Sequence, residues 1–442
     1  MSILDYRKNF AFDDPLKPSD GRRVNLNEAR GDYSRKRLLR EFGLNVSTGV
    51  LGEPCSGKCV LFGGHRGCGK STELLEIGAE LKGDGRYFVV EIDALKALDI
   101  NNLCYADIAL TLAESLVNEA AAKAMVVPSV ILRPLYDWYK QVSNISIKEE
   151  TSSADLAAGA EFGMGLPLIG QLFAKLTTSI RSNTTHKTEI RNNVRNSFSA
   201  LADAFNQLLV YVQQEAVNQA LGKSVLFIVD GTDRLRGDEA DDFFVRDIHQ
   251  LRLLNANVIY CAPISILNEQ GQAAQNVDAI FRLPMVKLSN KGEADMIEIA
   301  RDRMREFVIK RLPIEYFANM DTLDLLVRHS GGHPRDLLRL VNLCFQEIDE
   351  GPISLAVAET ATRRLSNEYR RLVQPDDLPL LVGIDRSGPE LTPTTDQTKR
   401  LLFDLVLLEY NSFWWQSHPA VRSLEAYRVA LDKHKLGAGT EH

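Results

Sequence analysis

The chain has 442 residues, of which 45% are hydrophobic and 25% charged, and its formal net charge is −7. This length is enough for two or three domains, and the composition is ordinary for a globular protein. A strongly basic chain would indicate a nucleic-acid partner, and the net negative charge excludes that class. The six cysteines are scattered without a CxxC pair, which argues against a disulfide framework or zinc site and for reduced thiols.

The N-terminal stretch MSILDYRKNFAFDDP has acidic residues early and lacks the apolar core of a signal peptide. No uncharged apolar run approaches the roughly 18 residues that suggest a membrane-spanning helix. We therefore expect a cytoplasmic protein without a transmembrane segment.

A basic stretch follows, reading GRRVNLNEARGDYSRKRLLREFGL. It could be a solvated helix face whose cations pair with carboxylates, or a surface that binds phosphodiester backbone. The cations in question are Arg22, Arg23, Arg30, Arg35, Lys36, Arg37 and Arg40.

Residues 61–75 read LFGGHRGCGKSTELL and fit the pattern GxxxxGK[ST]. The apolar run before the pattern predicts a buried strand, and the residues after it predict a helix that ends at Gly83. Glycines let backbone N–H groups surround a phosphate, and a helix N-terminus adds partial positive charge. The sequence therefore predicts a nucleotide-binding loop formed by Gly64, His65, Arg66, Gly67, Cys68, Gly69, Lys70, Ser71 and Thr72.

Several residues of this loop have distinct expected roles. Lys70 would reach the β- and γ-phosphates, Ser71 would ligate Mg²⁺, and Thr72 lies toward the α-phosphate. Cys68 is expected to serve as a small residue, with a redox role as the alternative. The expected cofactors are ATP and Mg²⁺, since no guanine-reading NKxD motif follows a strand.

A second motif, SVLFIVDGTDRL at 224–235, predicts a fully buried strand that ends at Asp230. A carboxylate at that position can hold the Mg²⁺ water shell, and Asp233 is the best candidate to orient or deprotonate the attacking water. We therefore predict catalytic roles for Lys70, Asp230 and Asp233, and metal ligation by Ser71 and Asp230. Gly231 stands where many fast ATPases carry a glutamate, which predicts slow turnover.

Further strands are predicted at 86–94, 257–266 and 279–288. Strands that alternate with helices indicate a parallel sheet in a three-layer α/β fold. Arg246 and Arg252, in the helix before the fourth strand, are candidate phosphate contacts, with salt-bridged surface arginines as the alternative.

Residues 127–188 exceed what a compact core needs and predict an insertion. Three interpretations stay open for it. It could be a flexible insertion packed on the domain, a self-association element, or a segment released on activation to touch a membrane or partner. The stretch KTEIRNNVRNSFSALADAFNQLLVYVQQEAV then predicts one long amphipathic helix.

From residue 291 to 375 the pattern is helical, and the turn SGGHPRDLLRL separates two of the helices. The turn could be simple helix punctuation, with glycines ending one helix and Pro334 starting the next. Alternatively it lies over the nucleotide, where Pro334 would touch the base and Arg335 would reach the phosphates.

The C-terminal part predicts a loop-rich link at 378–397, a helix, two strands joined by a turn at Asn411 and Ser412, and a helix from Pro419. A helix followed by a β-hairpin and a second helix is typical of a winged helix with the hairpin as its wing.

Together the P-loop, the strand end VDGTD, the helical lid and the GGHPR turn resemble the AAA+ and STAND classes of P-loop NTPase. The stretch DGTDRL is also similar to the DDLDR strand end of KAP-type NTPases. The likeness covers about residues 25–373. It implies that the lid turn contacts the nucleotide and that the segment before the P-loop lines the adenine site. In STAND proteins a winged-helix histidine contacts the ADP β-phosphate, a position held here by His418.

The resulting prediction is an α/β fold, a three-layer P-loop NTPase core with a parallel sheet, a helical lid and a C-terminal winged helix. The expected domains are an adenine-side segment at 1–50, the core at 51–290, the lid at 291–375, and a winged-helix-like domain with its tail at 376–442.

The first functional hypothesis is a signal-transducing ATPase switch that slowly hydrolyses ATP and controls homo-oligomerisation or a separate effector or sensor protein. The resemblance adds a role in bacterial defence against phage. The alternative is a DNA-associated AAA+ regulator or loader that uses the winged helix and the basic stretch. A third hypothesis is a nucleotide-dependent scaffold without hydrolysis.

Overall fold

The computed structural model of the chain describes residues 3–12, 15–99, 103–146, 165–181, 187–268, 275–293, 295–387, 395–411 and 414–438. It divides into two compact units. The core unit comprises residues 36–62 and 77–281, and the lid unit comprises residues 1–35, 63–76 and 282–442.

The helices of the described ranges are numbered here in chain order. They are α1 (Arg35–Glu41), α2 (Lys70–Lys82), α3 (Ala94–Ala97), α4 (Tyr105–Ala122), α5 (Ser129–Ser146), α6 (Leu166–Arg181), α7 (Lys187–Asn196), α8 (Phe198–Asn218), α9 (Gly237–Asp241), α10 (Ile248–Leu251), α11 (Ile264–Asn268), α12 (Glu298–Ile309), α13 (Met320–His329), α14 (Pro334–Cys344), α15 (Leu355–Tyr369), α16 (Asp377–Arg386), α17 (Asp396–Phe403), α18 (Pro419–Arg422) and α19 (Glu425–Ala438).

A five-stranded sheet organises the core unit. Its strands are β1 (Cys59–Gly64), β2 (Tyr87–Asp93), β3 (Ser224–Asp230), β4 (Asn257–Ala262) and β5 (Ala279–Leu283), in the order β2-β3-β4-β1-β5. The pairs β2–β3 and β3–β4 are parallel. Continuous burial along β1 and β4 explains their uninterrupted apolar sequences. The predicted α/β fold with a parallel sheet is confirmed.

Helices α4 to α8 form an apolar cluster of the core unit together with the sheet. The rings of Trp138 on α5 and Phe173 on α6 stack at 6.0 Å with an interplanar angle of 14°. Of the insertion predicted at 127–188, residues 147–164 and 182–186 lie outside the described ranges. The remainder contributes α5 and α6, whose apolar faces are buried. The α6 face is therefore core, and the self-association and membrane interpretations find no support there.

The prediction of a single long helix after the insertion was wrong in one respect, because Ser197 separates α7 from α8. The indole N–H of Trp138 donates to the backbone oxygen of Ser197 at 3.3 Å and to its hydroxyl at 2.9 Å. A tertiary contact of this kind leaves no trace in the helical periodicity.

In the lid unit, helices α12 to α15 lie in the stretch 291–375 that was predicted to be helical. Gly331 and Gly332 have φ values of 61° and 74° and follow α13, and Pro334 opens α14 at its first position. A Cβ on Gly332 would lie 1.9 Å from the carbonyl oxygen of Val286, so only glycine fits this approach.

The loop-rich link predicted at 378–397 was also wrong in part, because α16 occupies residues 377–386. The predicted loop rested on prolines such as Pro379. Proline is tolerated in a first helical turn, where its missing N–H would have no helical partner. The buried carboxylate of Asp377 at the start of α16 accepts hydrogen bonds from Gln397 at 2.8 Å and Arg400 at 2.5 Å.

An antiparallel hairpin follows α17, with strands β6 (Leu407–Asn411) and β7 (Trp414–Ser417). The expected succession of helix, two strands and helix is confirmed, while the predicted turn residue Ser412 lies outside the described ranges. The side chain of Trp415 is fully buried, so β7 belongs to the core of the lid unit. Within the described ranges, none of the helices has the length and apolarity needed to cross a bilayer.

A buried ion pair in the core unit generates a stability prediction. The carboxylate of Asp107 is 1% exposed and accepts from Arg191 Nε at 3.0 Å, and its side chain also caps the start of α4 at Cys104 N. Replacing Arg191 by leucine leaves a buried carboxylate uncompensated, which should lower the free energy of unfolding by about 3–5 kcal/mol.

Urea unfolding followed by tryptophan fluorescence measures this effect. The matched control is Arg133→Leu, which removes an exposed arginine paired with Asp137 one helical turn away. That change should cost less than about 1 kcal/mol. Equal losses in both variants would contradict a special role for the buried pair.

Candidate functional site

The predicted phosphate-binding loop joins β1 to α2, as its sequence requires. Gly64 ends the strand and Lys70 begins the helix. Gly67 has φ 83°, and a Cβ there would lie 2.7 Å from Nε2 of His333. At Gly64, a Cβ would lie 2.4 Å from the carbonyl oxygen of Leu283. Close packing within the lid unit thus requires glycine at these two positions of the motif.

Lys70 lies inside the loop and is 5% exposed. Its ammonium donates hydrogen bonds to the backbone oxygens of Gly64 at 2.9 Å and His65 at 2.8 Å. An ammonium held by the carbonyls of its own loop is poised to exchange them for phosphate oxygens, which bind it more strongly because they are charged.

His65 is fully buried, and its ring is directed at the C-terminal hairpin. Its Nδ1 lies 3.1 Å from the backbone oxygen of Leu402, and the N–H of Glu409 donates to Nε2 at 2.8 Å. One acceptor and one donor fix the neutral tautomer with the hydrogen on Nδ1. Burial, together with the nearby charges of His333 and Lys70, lowers the pKa of His65 to about 3. The sequence placed this residue in the loop but gave no sign of the second role of its ring.

The lid turn packs on the same loop. Nε2 of His333 donates to the backbone oxygen of Arg66 at 2.9 Å. Pro334 is buried, and the guanidinium of Arg335 lies 5.7 Å from the ring of Phe12. A Cβ on Gly67 would come within 2.9 Å of the Cβ of Arg335, so this residue is a direct neighbour of the loop.

A fully buried carboxylate, Asp336, lies behind the turn and was not predicted from the sequence. Its Oδ2 lies 3.3 Å from ring nitrogens of both His333 and His418, and the hydroxyl of Tyr369 donates to it at 2.5 Å. Arg339 donates to Oδ1 at 2.8 Å. Burial favours a raised pKa for Asp336, but His333 and then His418 outweigh it and hold the pKa well below its ordinary value.

The structure places His418 in this buried cluster. Its Nδ1 accepts from the N–H of Ala420 at 3.0 Å, which leaves Nε2 to carry the hydrogen that faces Asp336. Its ring stacks on Tyr369 with centroids 4.3 Å apart. Burial lowers the pKa of His418 more than Asp336 raises it, so the ring is neutral near pH 7. His418 thus connects to the loop through Asp336 and His333.

The N-terminal segment contacts the loop and α2 from another side. Arg30 is 3% exposed and donates to the backbone oxygens of Pro284 and, at 2.6 Å, of Cys68. The hydroxyl oxygen of Thr72 accepts from the N–H of Leu16 at 3.3 Å. The segment therefore contacts the loop at its middle and at its C-terminal end.

Other arginines of the basic stretch pair with carboxylates. Arg35 binds Glu73 at 2.6 Å, and Arg23 binds Glu76 at 2.6 Å, both on α2. Arg22 pairs with Asp20. The paired-carboxylate interpretation therefore describes this part of the stretch.

The second motif forms an acidic cluster in the core unit. Asp230 ends β3, and Asp233 lies in the short 3₁₀ turn Thr232–Arg234. One ligand atom from each aspartate and the thiol of Cys261 lie within 4.8 Å of one another. Carboxylate oxygens suit Mg²⁺, whereas sulfur does not, so the two aspartates fit the expected ion and Cys261 does not.

Gly231, between the strand end and the turn, explains why no glutamate follows Asp230. It has φ 88°, and a Cβ there would lie 2.9 Å from Cγ of Leu95. Both the backbone conformation and the space disfavour a larger side chain.

Arg246 and Arg252, the candidate phosphate contacts, form ion pairs. Arg246 is 73% exposed and binds Asp242 at 2.5 Å, and Arg252 binds Asp278 at 3.2 Å. The salt-bridged alternative therefore describes both residues.

The burial of neutral His65 predicts a pH dependence of stability. Its pKa is about 3 in the folded chain and 6.5 in the reference state, so protons bind preferentially to the unfolded chain between these values. Its contribution to stability is complete above pH 6.5 and is lost as pH falls toward 3, by about 1.4 kcal/mol per pH unit.

His65→Gln keeps a donor for Leu402 and an acceptor for Glu409 but does not titrate. Between pH 7.5 and 5, the wild-type chain should lose about 2 kcal/mol more unfolding free energy than this variant. The exposed His249→Gln serves as the control and should follow the wild type. Parallel pH profiles for the wild type and His65→Gln, measured by urea unfolding, would contradict this prediction.

Comparisons with known proteins give distant structural likenesses only. No protein-family model matches the chain, and no curated protein does. A Walker-type ATPase of Pyrococcus abyssi is similar in structure at 12% identity and a TM-score of 0.42, over 95% of this chain and 99% of that one. Cdc6p from Pyrobaculum aerophilum is similar at 11% identity and a TM-score of 0.39, over 97% of this chain and 84% of that one.

Proposed function

We propose that this chain is an ATP-hydrolysing molecular switch that controls self-assembly or a separate effector or sensor protein. The observation that carries the proposal is the contact of His65, a residue of the phosphate-binding loop, with Leu402 and Glu409 of the C-terminal segment. A loop that binds phosphate and also holds the hairpin can transmit the state of the nucleotide.

The transmission has a defined path. Lys70 donates to the backbone oxygen of His65, and the ring of the same residue holds the hairpin. A nucleotide that draws the ammonium onto its phosphates removes one of the two constraints on His65. The lid turn offers a second path from Arg66 through His333 and Asp336 to His418.

The residues of the two motifs divide the proposed chemistry between them. The backbone and Lys70 bind the phosphates, Ser71 and Asp230 hold Mg²⁺, and Asp233 orients or deprotonates the attacking water. The two motifs follow β1 and β3, and the carboxyl ends of strands in an open α/β sheet are where ligands bind. The glycine at position 231 accords with slow hydrolysis. Bound Mg²⁺ would neutralise charge on the phosphates.

The DNA-associated alternative has weaker support. Lys36, Arg37 and Arg40 of the basic stretch are exposed, but Arg22, Arg23 and Arg35 are paired with carboxylates, and Arg30 is buried. Phosphodiester binding by the paired and buried side chains would require breaking existing contacts. The role in defence against phage remains a prediction from the family resemblance alone.

Removal of the loop lysine should abolish hydrolysis. Lys70→Ala loses the charge that stabilises the β- and γ-phosphates, so we expect phosphate release from ATP and Mg²⁺ to fall at least 100-fold. Lys82→Ala, at the exposed other end of α2, is the matched control and should hydrolyse ATP as the wild type does. Asp233→Ala should retain ATP binding but lose turnover. Hydrolysis unchanged by Lys70→Ala would overturn the assignment.

The proposed switch predicts that the mass of the chain in solution, measured by light scattering, depends on the bound nucleotide. With ADP the chain should have a smaller mass than with ATP and Mg²⁺, and Lys70→Ala should not respond. His65→Leu breaks both ring hydrogen bonds, so it should assemble with ADP as well. His65→Gln, which can replace both bonds, should behave as the wild type does. A mass that stays the same in every nucleotide state would refute the assembly mechanism.

A further inference from the structure

A large cleft lies within the lid unit, away from the phosphate-binding loop. We call it the lid cleft, and residues of α13, α15, α16 and α19 line it. Its volume is about 1450 Å³. Small-molecule sites usually measure roughly 300–1,000 Å³, so the lid cleft has the size of a site for a macromolecule.

The charge of the lid cleft is opposite to that of the chain. The whole chain carries −7, but basic side chains predominate on the cleft walls. Within the described ranges, Arg370, Arg428 and Lys433 form no ion pair. Exposed cations without carboxylate partners favour an acidic occupant. The charged wall residues are Arg363, Arg370, Arg428 and Lys433, with Glu359 and Glu425.

One side of the lid cleft is apolar. It is formed by Leu378 and Pro379 of α16 and continues on α19 with Val429, which is 48% exposed. An apolar strip beside a cationic rim matches a ligand with one apolar and one acidic face.

These features distinguish between a nucleic acid and a protein helix. Single strands bind on aromatic side chains, and no Phe, Tyr or Trp is among the described residues that line the cleft. Nucleic acid also gains nothing from an apolar strip. A helix about 10 Å wide that rises 1.5 Å per residue would fill the volume with about 12 residues, or three turns.

We propose that the lid cleft binds an acidic amphipathic helix of a partner protein. The helix places its apolar residues on α16 and Val429 and its carboxylates against Arg370, Arg428 and Lys433. The inference supplies the chemistry of the separate partner in the proposed function and to that extent rests on it. Binding itself requires no nucleotide.

The probe is a phage-displayed library of 16-residue helical peptides, selected on the full chain. We expect the selected peptides to be acidic and to repeat apolar residues at three-and-four spacing. Their affinities are then measured by fluorescence anisotropy. Arg370→Glu with Lys433→Glu should weaken binding at least tenfold. The matched control is Arg371→Glu with Lys435→Glu, which changes exposed neighbours outside the cleft lining and should alter binding less than twofold.

The outcomes separate the proposals. Equal losses in both double variants, selected peptides without acidic enrichment, or no selected peptide would overturn the docking site. A 20-base-pair DNA duplex that binds only when Arg370 and Lys433 are intact, in the absence of peptide binding, would assign the cleft to nucleic acid. Cleft-dependent peptide binding by a chain that does not bind ATP would refute the proposed function and leave the docking site supported.

Discussion

Two hydrogen bonds to the ring of His65 constrain much of the lid unit. An imidazole that accepts from Glu409 and donates to Leu402 must be neutral, buried and held in one tautomer. The loop that carries this ring must in turn keep a fixed backbone conformation, since Lys70 is bound to two of its carbonyl oxygens. These hydrogen bonds therefore hold the hairpin, the loop and Lys70 together.

The carboxylate of Asp336 constrains the lid helices in a similar way. It is fully buried and accepts hydrogen bonds from Tyr369 and Arg339, while ring nitrogens of His333 and His418 lie 3.3 Å from its Oδ2. A cluster of this kind has few acceptable arrangements, because losing one donor leaves charge uncompensated. It can fix the start of α14 against α15 and the C-terminal helices with little freedom to drift.

The sequence predicts most of the strands and lid helices because their patterns are local. Continuous apolar runs identify β1 and β3, and the glycines and lysine of the loop are typical of phosphate binding. Other features depend on tertiary contacts. The break at Ser197 coincides with hydrogen bonds from the indole of Trp138. The start of α16 contains a proline, which suggested a loop although a first helical turn tolerates it. The ring contacts of His65 join residues more than 330 positions apart in the chain, which no periodicity reveals.

The turn at Gly231 has an evolutionary consequence. Its left-handed backbone and the nearby side chain of Leu95 leave no room for a glutamate beside Asp230. A single substitution would place the new carboxylate in strain, and shortening Leu95 alone would only open a cavity. A larger side chain at position 231 thus needs a second change at Leu95, and either change alone is expected to lower the stability of the chain. The packing of one leucine therefore protects the glycine beside Asp230 against substitution.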